Sequence, residues 1–420
     1  MLATRIRPVH IQCIRLRTLA TESVHSLDSD KQPPPPPAKP QSPPTRLNPR
    51  PRPRSAPQYA QQVLPNLPST FGRNQLLPVS NTTRALLEDI VAQFDAPIRY
   101  AFAYGSGVFE QDGYSRQKEG AGSETRPMLD FMFAVTHPDH WHSINMHQNP
   151  SHYPLHSRLL GSSYVSRVER IGPGVWFNAY VPVNGVTIKY GVTTVDNLCS
   201  DLLNWHTLYL AGRMHKPLRI IKDDARVRLT QQVNLTSAVR AALLTLPPAF
   251  SENELFERIT SISYAGDPRM YLPAENRNKV ANIVRSQGSQ FRELYYRLVV
   301  GLPGVHWRVG EGMLEQDPSG HARAAHLKKL PKNLLDRVKQ SYGTQLGGYS
   351  IESDESAYWV RLAGDDQLPK VVSQELANIV RYPATVQSFK GLLSAGVGKS
   401  IRYSAAKIAK WRKGSGAGSS

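Results

Sequence analysis

IRYAFAYGSGVFEQ, residues 98–111, opens as an alternating buried strand over 98–104 and then turns sharply at Gly105-Ser106-Gly107. A Gly-Ser turn after a strand lets backbone N–H groups approach a phosphate, with the serine hydroxyl as an added donor. The glycine spacing matches neither the dinucleotide-binding fingerprint nor the Walker loop, so alone the turn reads first as an ordinary strand-to-helix connection. Residues 128–135, MLDFMFAV, supply the second half of the reading: an apolar strand with one carboxylate, Asp130, in its middle. Burying an acid there is costly unless it is paired or bound to a cation.

Around these two strands the pattern is mixed. RALLEDIVAQF, 84–94, sets Leu86, Leu87, Ile90, Val91 and Phe94 on one helical stripe. VWFNAYVPVNGVTIKYGV, 175–192, is a hairpin turning at Asn184-Gly185, with Val183 facing Val186, Pro182 facing Thr187 and Tyr180 facing Lys189. Lys189 then points away from the face of Ile188 and Tyr190. There it is either a solvated lysine or a point charge for a triphosphate. His137, His140, His142, His147, His152 and His156 tempt a zinc reading, but no helical ligand pair stands out and no cysteine assists. A loop over the site, with His152 and Tyr153 near a ligand, is the reading preferred. Asp201 and Lys216 bracket a further helix; Asp201 reads as a helix-start charge or a ligand contact, Lys216 as a phosphate contact.

From about 225 the periodicity is helical, with a Ser251/Glu254 capping box and later helices through 275–300 and 332–340. Asp267 and Arg269 fall in a loop between them, as a turn cap or as groups reaching back over the site.

A strand ending in Gly-Ser followed by a strand carrying Asp resembles the polymerase-beta-like nucleotidyltransferases. That resemblance gives Ser106 the nucleotide phosphates and Asp130 a Mg²⁺ ion. Where that superfamily usually has a second carboxylate, this chain has Met132. A more specific likeness covers 85–300. It rests on 103–111 (AYGSGVFEQ), 141–143 (WHS), 151–153 (SHY), 188–192 (IKYGV), 201–205 (DLLNW), 208–213 (LYLAGR), Lys216-Pro217, Gly266-Asp267, Arg269-Met270 and 291–295 (FRELY). Together these resemble the mitochondrial CDP-diacylglycerol synthases, which share the missing second carboxylate.

This resemblance implies an α+β chain. A nucleotidyltransferase domain would span 81–222, a helical, winged-helix-like domain 223–342, an acidic surface insertion 343–375 and a basic amphipathic tail 376–420. It implies Mg²⁺-dependent conversion of CTP and phosphatidic acid to CDP-diacylglycerol, for cardiolipin synthesis, at the matrix face of the inner membrane. Asp130 and Lys189 would be catalytic, with Asp130 the metal ligand. Gly105, Ser106, Gly107, Tyr190, Lys216 and Asp201 would bind nucleotide, and His152, Asp267 and Arg269 are further contacts. The chemistry agrees: a phosphate monoester is largely ionised near neutral pH (second pKa about 6) and needs no general base, so a carboxylate-poor site suits a phosphate nucleophile better than a ribose hydroxyl. The alternatives are an RNA-directed nucleotidyltransferase and a non-catalytic membrane-associated import assembly factor.

Charge placement bears on those alternatives. The 420 residues carry +18, but 1–60 hold ten Lys/Arg against three Asp/Glu and 376–420 hold eight against none. The remaining 315 residues therefore carry only +3, which makes a near-neutral body with two basic ends. Residues 1–21, with Arg5, Arg7, Arg15 and Arg17 and no acid, read as a mitochondrial presequence ending near 30. The proline-rich 31–80 reads as an extended linker, with folding starting near 80. In the tail, Phe389, Lys399, Arg402, Lys407, Lys410 and Trp411 suit an anionic bilayer surface; without interleaved stacking aromatics no nucleic acid is expected. Two cysteines, Cys13 and Cys199, exclude a disulfide framework, and no run of about 18 apolar residues can span a bilayer.

Overall fold

The computed structural model describes residues 68, 70–105, 107–109, 128–271, 278–345 and 355–395. The Ser80 hydroxyl accepts from the Thr83 N–H and starts helix α1 (Asn81–Ala92), whose Leu87, Ile90 and Val91 are buried. Strands β1 (Tyr100–Tyr104) and β2 (Leu129–Val135) pair antiparallel with Tyr104 opposite Asp130. The histidine-rich stretch is not a loop. It forms α2 (Pro138–Gln148), followed by α3 (Leu155–Leu160) and α4 (Ser162–Arg170).

Strands β3 (Trp176–Val183) and β4 (Val186–Thr194) make the expected hairpin, with Val183 opposite Val186 and Pro182 opposite Thr187. Its register shifts between Asn178 and Val181, so Ala179 and Tyr180 together oppose Lys189; Tyr180 takes φ 55° at this bulge. Helices α5 (Val195–Asn204) and α6 (Ala211–Met214) then lead to β5 (Leu218–Lys222). The sheet runs β3-β4-β2-β1-β5, parallel only between β2 and β4, where Asp130 registers with Lys189.

The second half is helix, short strand, two helices and a hairpin: α7 (Ala225–Leu243), β6 (Ala249–Ser251), α8 (Glu252–Ile262), α9 (Lys279–Val300), β7 (Val305–Arg308) and β8 (Met313–Gln316). The Ser251/Glu254 capping box is present at α8. A small sheet orders β6-β8-β7. Helices α10 (Gly320–Leu327), α11 (Lys332–Gln345), α12 (Glu355–Ala363) and α13 (Leu368–Ala395) complete the described chain.

Alternation in the strands divides the core. Tyr100, Phe102 and Met132 face a cluster that continues through α7, α8, α9 and α13, while Phe131, Phe133, Ile188 and Tyr190 face α1 and α2. Three expected boundaries shift. Packing starts before residue 80: Asn74 donates to the Leu294 carbonyl, Gln75 to the Arg228 carbonyl, and Leu77 is buried. The described parts of 343–375 are no surface insertion, because Trp359, Leu362, Leu368 and Val372 are all buried. Likewise Leu376, Ile379, Val380 and Ala384, the start of the expected membrane tail, form the inner face of α13. Among the described residues no helix is long and apolar enough to cross a membrane.

Candidate active site

Asp130 and Lys189 are neighbours because their strands pair in parallel register and both side chains take the same face of the sheet. The Lys189 Nζ to Asp130 Oδ1 distance is 4.0 Å, with the side chains 32% and 29% exposed, so the pair is loose and open to solvent. Gly105 turns the chain beside them at φ 93°, and a Cβ there would lie 3.6 Å from Asp130 Oδ2. The backbone of the turn thus passes directly over the carboxylate. Gly107 follows in that turn; Ser106 lies outside the described residues.

A second wall comes from α6. Arg213 lies 3.7 Å from the centre of the Tyr209 ring, and its Nη1 donates to the Tyr209 carbonyl at 2.6 Å. Arg213 also hydrogen-bonds Tyr104, whose phenol burial pushes up from its usual range. One helical turn on, Lys216 Nζ donates to the Gly212 carbonyl and to Ser263 Oγ, at 2.6 and 2.8 Å. Lys216 and Lys279, at the start of α9, lie 5.2 and 5.1 Å from the centre of the same ring, Tyr264. Lys189 itself sits 4.6 Å from the Phe177 ring centre. Aromatic faces thus help hold four cations in place.

Electrostatics link these groups. Burial pushes the Asp130 carboxyl above its ordinary value, opposed by Lys189, Arg213 and Lys279. Burial also pushes the Lys216 ammonium well below the usual lysine range, helped by repulsion from Arg213 and Lys279. A crowd of cations around one carboxylate is a site for an anion that arrives with several charges.

Sequence reasoning missed Arg213 and Lys279. Arg213 had a local signal: it stands four residues after Tyr209 and three before Lys216, the spacing of one helical face. Lys279 had none, since only the fold brings it to the site.

Other expected contacts lie elsewhere. Tyr190 is fully buried on the opposite face of the sheet, where its hydroxyl bonds Asn145, Asn178 and His152 at 2.9, 2.8 and 2.9 Å. Tyr190 and His152 therefore belong to a buried hydrogen-bond network on the face away from Asp130 and Lys189. Asp267 is buried and paired with Arg269 at 2.6 Å. Burial alone would raise its carboxyl, but the bonds from Arg269 hold it below the ordinary value. It orders its own turn, while Arg269 remains exposed at the rim, within electrostatic reach of Tyr209 and Arg213.

Asp201 sits in the last turn of α5, not at a helix start, and is buried. Its Oδ1 accepts from Thr207 N, Thr207 Oγ1 and Leu208 N, and its Oδ2 from Leu210 N and Ala211 N, all between 2.8 and 3.1 Å. These five donors leave it a loop-ordering residue that carries α6 and hence Arg213. Asp201→Ala is expected to cost about 3 kcal/mol of folding stability, since it strands several buried N–H groups. A denaturation midpoint within error of the wild type's would refute this role.

The donor set also limits the metal. Among the described residues no three His, Cys, Asp or Glu side chains converge on one point. A lone carboxylate among them fits Mg²⁺, which binds through one or two carboxylates and completes its shell with waters and substrate phosphates.

The family model described as mitochondrial phosphatidate cytidylyltransferase matches residues 87–410. The protein of that name from Xenopus laevis is 39% identical over 337 residues, covering 80% of this chain and 96% of its own. The Danio rerio protein is 38% identical over 340 residues, 80% and 97% of the two chains, and the Saccharomyces cerevisiae protein 35% over 351 residues, 82% and 75%. All three carry the same name. Matched from α1 to beyond α13, with its cation-walled carboxylate inside the matched region, the chain belongs to the family of mitochondrial phosphatidate cytidylyltransferases.

Proposed function

We infer that this chain transfers a cytidylyl group from CTP to phosphatidate, giving CDP-diacylglycerol and pyrophosphate. The observation that carries the reading is a carboxylate, Asp130, within electrostatic reach of Lys189, Arg213 and Lys279, with Lys216 beside the last two. The fold supports it at finer grain. The β1 turn beside the Asp130 strand fits a nucleotidyltransferase core, and the run from α7 through the β7–β8 hairpin fits a winged helix.

In the reaction a phosphatidate oxygen attacks the α-phosphorus of CTP. A new P–O bond forms as the bond from the α-phosphorus to the bridging oxygen breaks, and pyrophosphate leaves with that electron pair. Two anionic substrates must converge, so the work is alignment and charge neutralisation. The Gly105–Gly107 turn brings its backbone to the triphosphate. Lys189 and Lys216 act as point charges on it, and an anion beside Lys216 would restore the ammonium charge that burial disfavours. Arg213, fixed by the Tyr209 ring and carbonyl, offers its remaining guanidinium donors to a phosphate in a set orientation. Lys279 and Arg269 close the rim. Asp130 would hold Mg²⁺, which when bound neutralises phosphate charge as a Lewis acid. No side chain is asked to act as general base.

Family membership supports a mitochondrial destination, since the relatives are named mitochondrial, and the Arg-rich, acid-free 1–21 suits an import signal, with the matrix side of the inner membrane as the proposed place of work. Those residues lie outside the described ones, as do Lys399, Arg402, Lys407, Lys410 and Trp411 of the tail proposed to meet the anionic surface. The test is pyrophosphate release by residues 60–420 with Mg²⁺. Release is expected to need both CTP and phosphatidate vesicles and to fall at least tenfold with ATP. Release from CTP without phosphatidate, or dependent on RNA, would overturn the reading.

A further inference from the structure

The three most exposed large aliphatic side chains of the described body sit on one short helix. On α3, Leu155, Leu159 and Leu160 are 67%, 77% and 58% exposed, while Ser157, on the helix's other side, is fully buried. An isolated exposed leucine needs no explanation, but three within six residues form a patch. Ile171, just past α4, adds another exposed aliphatic at 53%.

The charges around these leucines have one sign. From 150 to 172 the chain carries Arg158, Arg167 and Arg170, all exposed, and a single acid, Glu169. Glu169 is buried and held by His142 at 2.9 Å, so it does not face solvent. From α2 the nearby exposed acid is Asp139, which accepts from Ser162 and Ser163 at the start of α4. Exposed leucines bordered by arginines match a surface that is apolar inside and anionic at its face.

Helix α13 connects this patch to the catalytic side. At one point the Ala377 carbonyl abuts Gly266, next to the Asp267–Arg269 turn at the rim. About 20 Å further along the helix, at 1.5 Å per residue, Lys390 Nζ donates to the carbonyls of Glu169 and Ile171, both at 2.9 Å. That buried clamp sets Phe389, itself 65% exposed, at the same end of the molecule as Ile171. Helix α13 also packs on β3, the outer strand, whose only neighbour in the sheet is the Lys189 strand β4. The patch therefore borders the edge of the sheet nearest to Lys189.

We propose that α3 is a bilayer-inserting element: Leu155, Leu159 and Leu160 enter an anionic lipid surface, Arg158, Arg167 and Arg170 pair with its phosphates, and Ile171 and Phe389 extend the contact. The choice of a bilayer as the occupant rests on the phosphatidate reading above, because a substrate with two acyl chains resides in one. Docking here holds the membrane against the β3 edge, so the lipid phosphate reaches Asp130 without leaving the surface.

The test uses the whole protein with Leu159→Asp/Leu160→Asp, whose positions are exposed and leave the core untouched. Flotation with phosphatidylcholine vesicles containing phosphatidate is expected to show at least a tenfold loss of bound protein, at an unchanged melting temperature. Arg158→Ala/Arg167→Ala is expected to lose severalfold, with the deficit shrinking as salt rises. Turnover of short-chain, monomerically dissolved phosphatidate should be the same in wild type and the leucine variant, while turnover on vesicles falls with binding. Unchanged flotation of the folded leucine variant overturns the proposal. So does a wild-type dimer that the substitution splits into monomers with vesicle binding intact, which would assign the patch to a second copy of the chain. If wild type floats with vesicles but turns over no phosphatidate in either form, the catalytic reading fails while flotation still decides the patch.

Discussion

Asp130→Asn is expected to lower phosphatidate-dependent turnover roughly 10³-fold, the rate equivalent of about 4 kcal/mol. The substitution keeps the shape of the side chain and removes only its charge. The fold does not need that charge. Among the described residues the only cation within ion-pair distance, Lys189, stands at 4.0 Å, and burial already disfavours the ionised carboxyl. A neutral amide is at least as easy to bury, so the melting temperature should match or exceed the wild type's. The proposed catalysis does need it, because Asp130 is the carboxylate that Lys189, Arg213 and Lys279 attend and the proposed metal ligand. Steady-state pyrophosphate release beside a thermal melt checks both halves. Activity within tenfold of wild type would remove Asp130 from the metal role, and a collapsed melt would make it structural.

Arg213→Lys should lower kcat/KM for CTP by about 10²-fold, or about 2.7 kcal/mol, although the charge is kept. The argument is geometric. Arg213 is pinned by stacking 3.7 Å from the Tyr209 ring centre and by its Nη1 bond to the Tyr209 carbonyl. Its planar guanidinium presents several donors in a fixed fork, whereas an ammonium on a flexible stem presents a rotating point charge. An effect carried mostly in kcat would mean the fork acts on the leaving pyrophosphate; one carried mostly in KM would mean it holds the bound triphosphate equally before and during reaction. A loss below fivefold in both would show that charge alone suffices at this position.

How far the sequence reaches can be judged from these residues. Asp130 and Lys189 were legible because period-2 alternation fixes the face of each, and an acid in an apolar strand demands a reason. The same alternation already turns Tyr190 away from Lys189. Its place in a shared motif coincides with a buried network on the other face of the strand. Asp201 shows the same ambiguity, since a motif acid can serve a ligand or, as here, five donors of its own loop. Acidic composition over 343–375 suggested an insertion, yet Trp359, Leu362, Leu368 and Val372 recur at helical spacing and decide burial. Lys279 was out of reach. It stands 149 positions from Asp130 in the chain, and only the packing of α9 brings it to the site.

The central claim is that a lipid phosphate, not a hydroxyl or water, attacks the α-phosphorus of CTP at Asp130. The most direct measurement supplies CTP labelled at either the α- or the γ-phosphorus, with Mg²⁺ and phosphatidate vesicles, and counts label extracted into the organic phase. Label from the α-position should appear in lipid with wild-type protein and vanish with Asp130→Asn, while γ-label stays in the aqueous pyrophosphate. Label from the γ-position in lipid would mean a kinase, and no α-label in lipid from a folded, vesicle-bound protein would contradict cytidylyl transfer altogether.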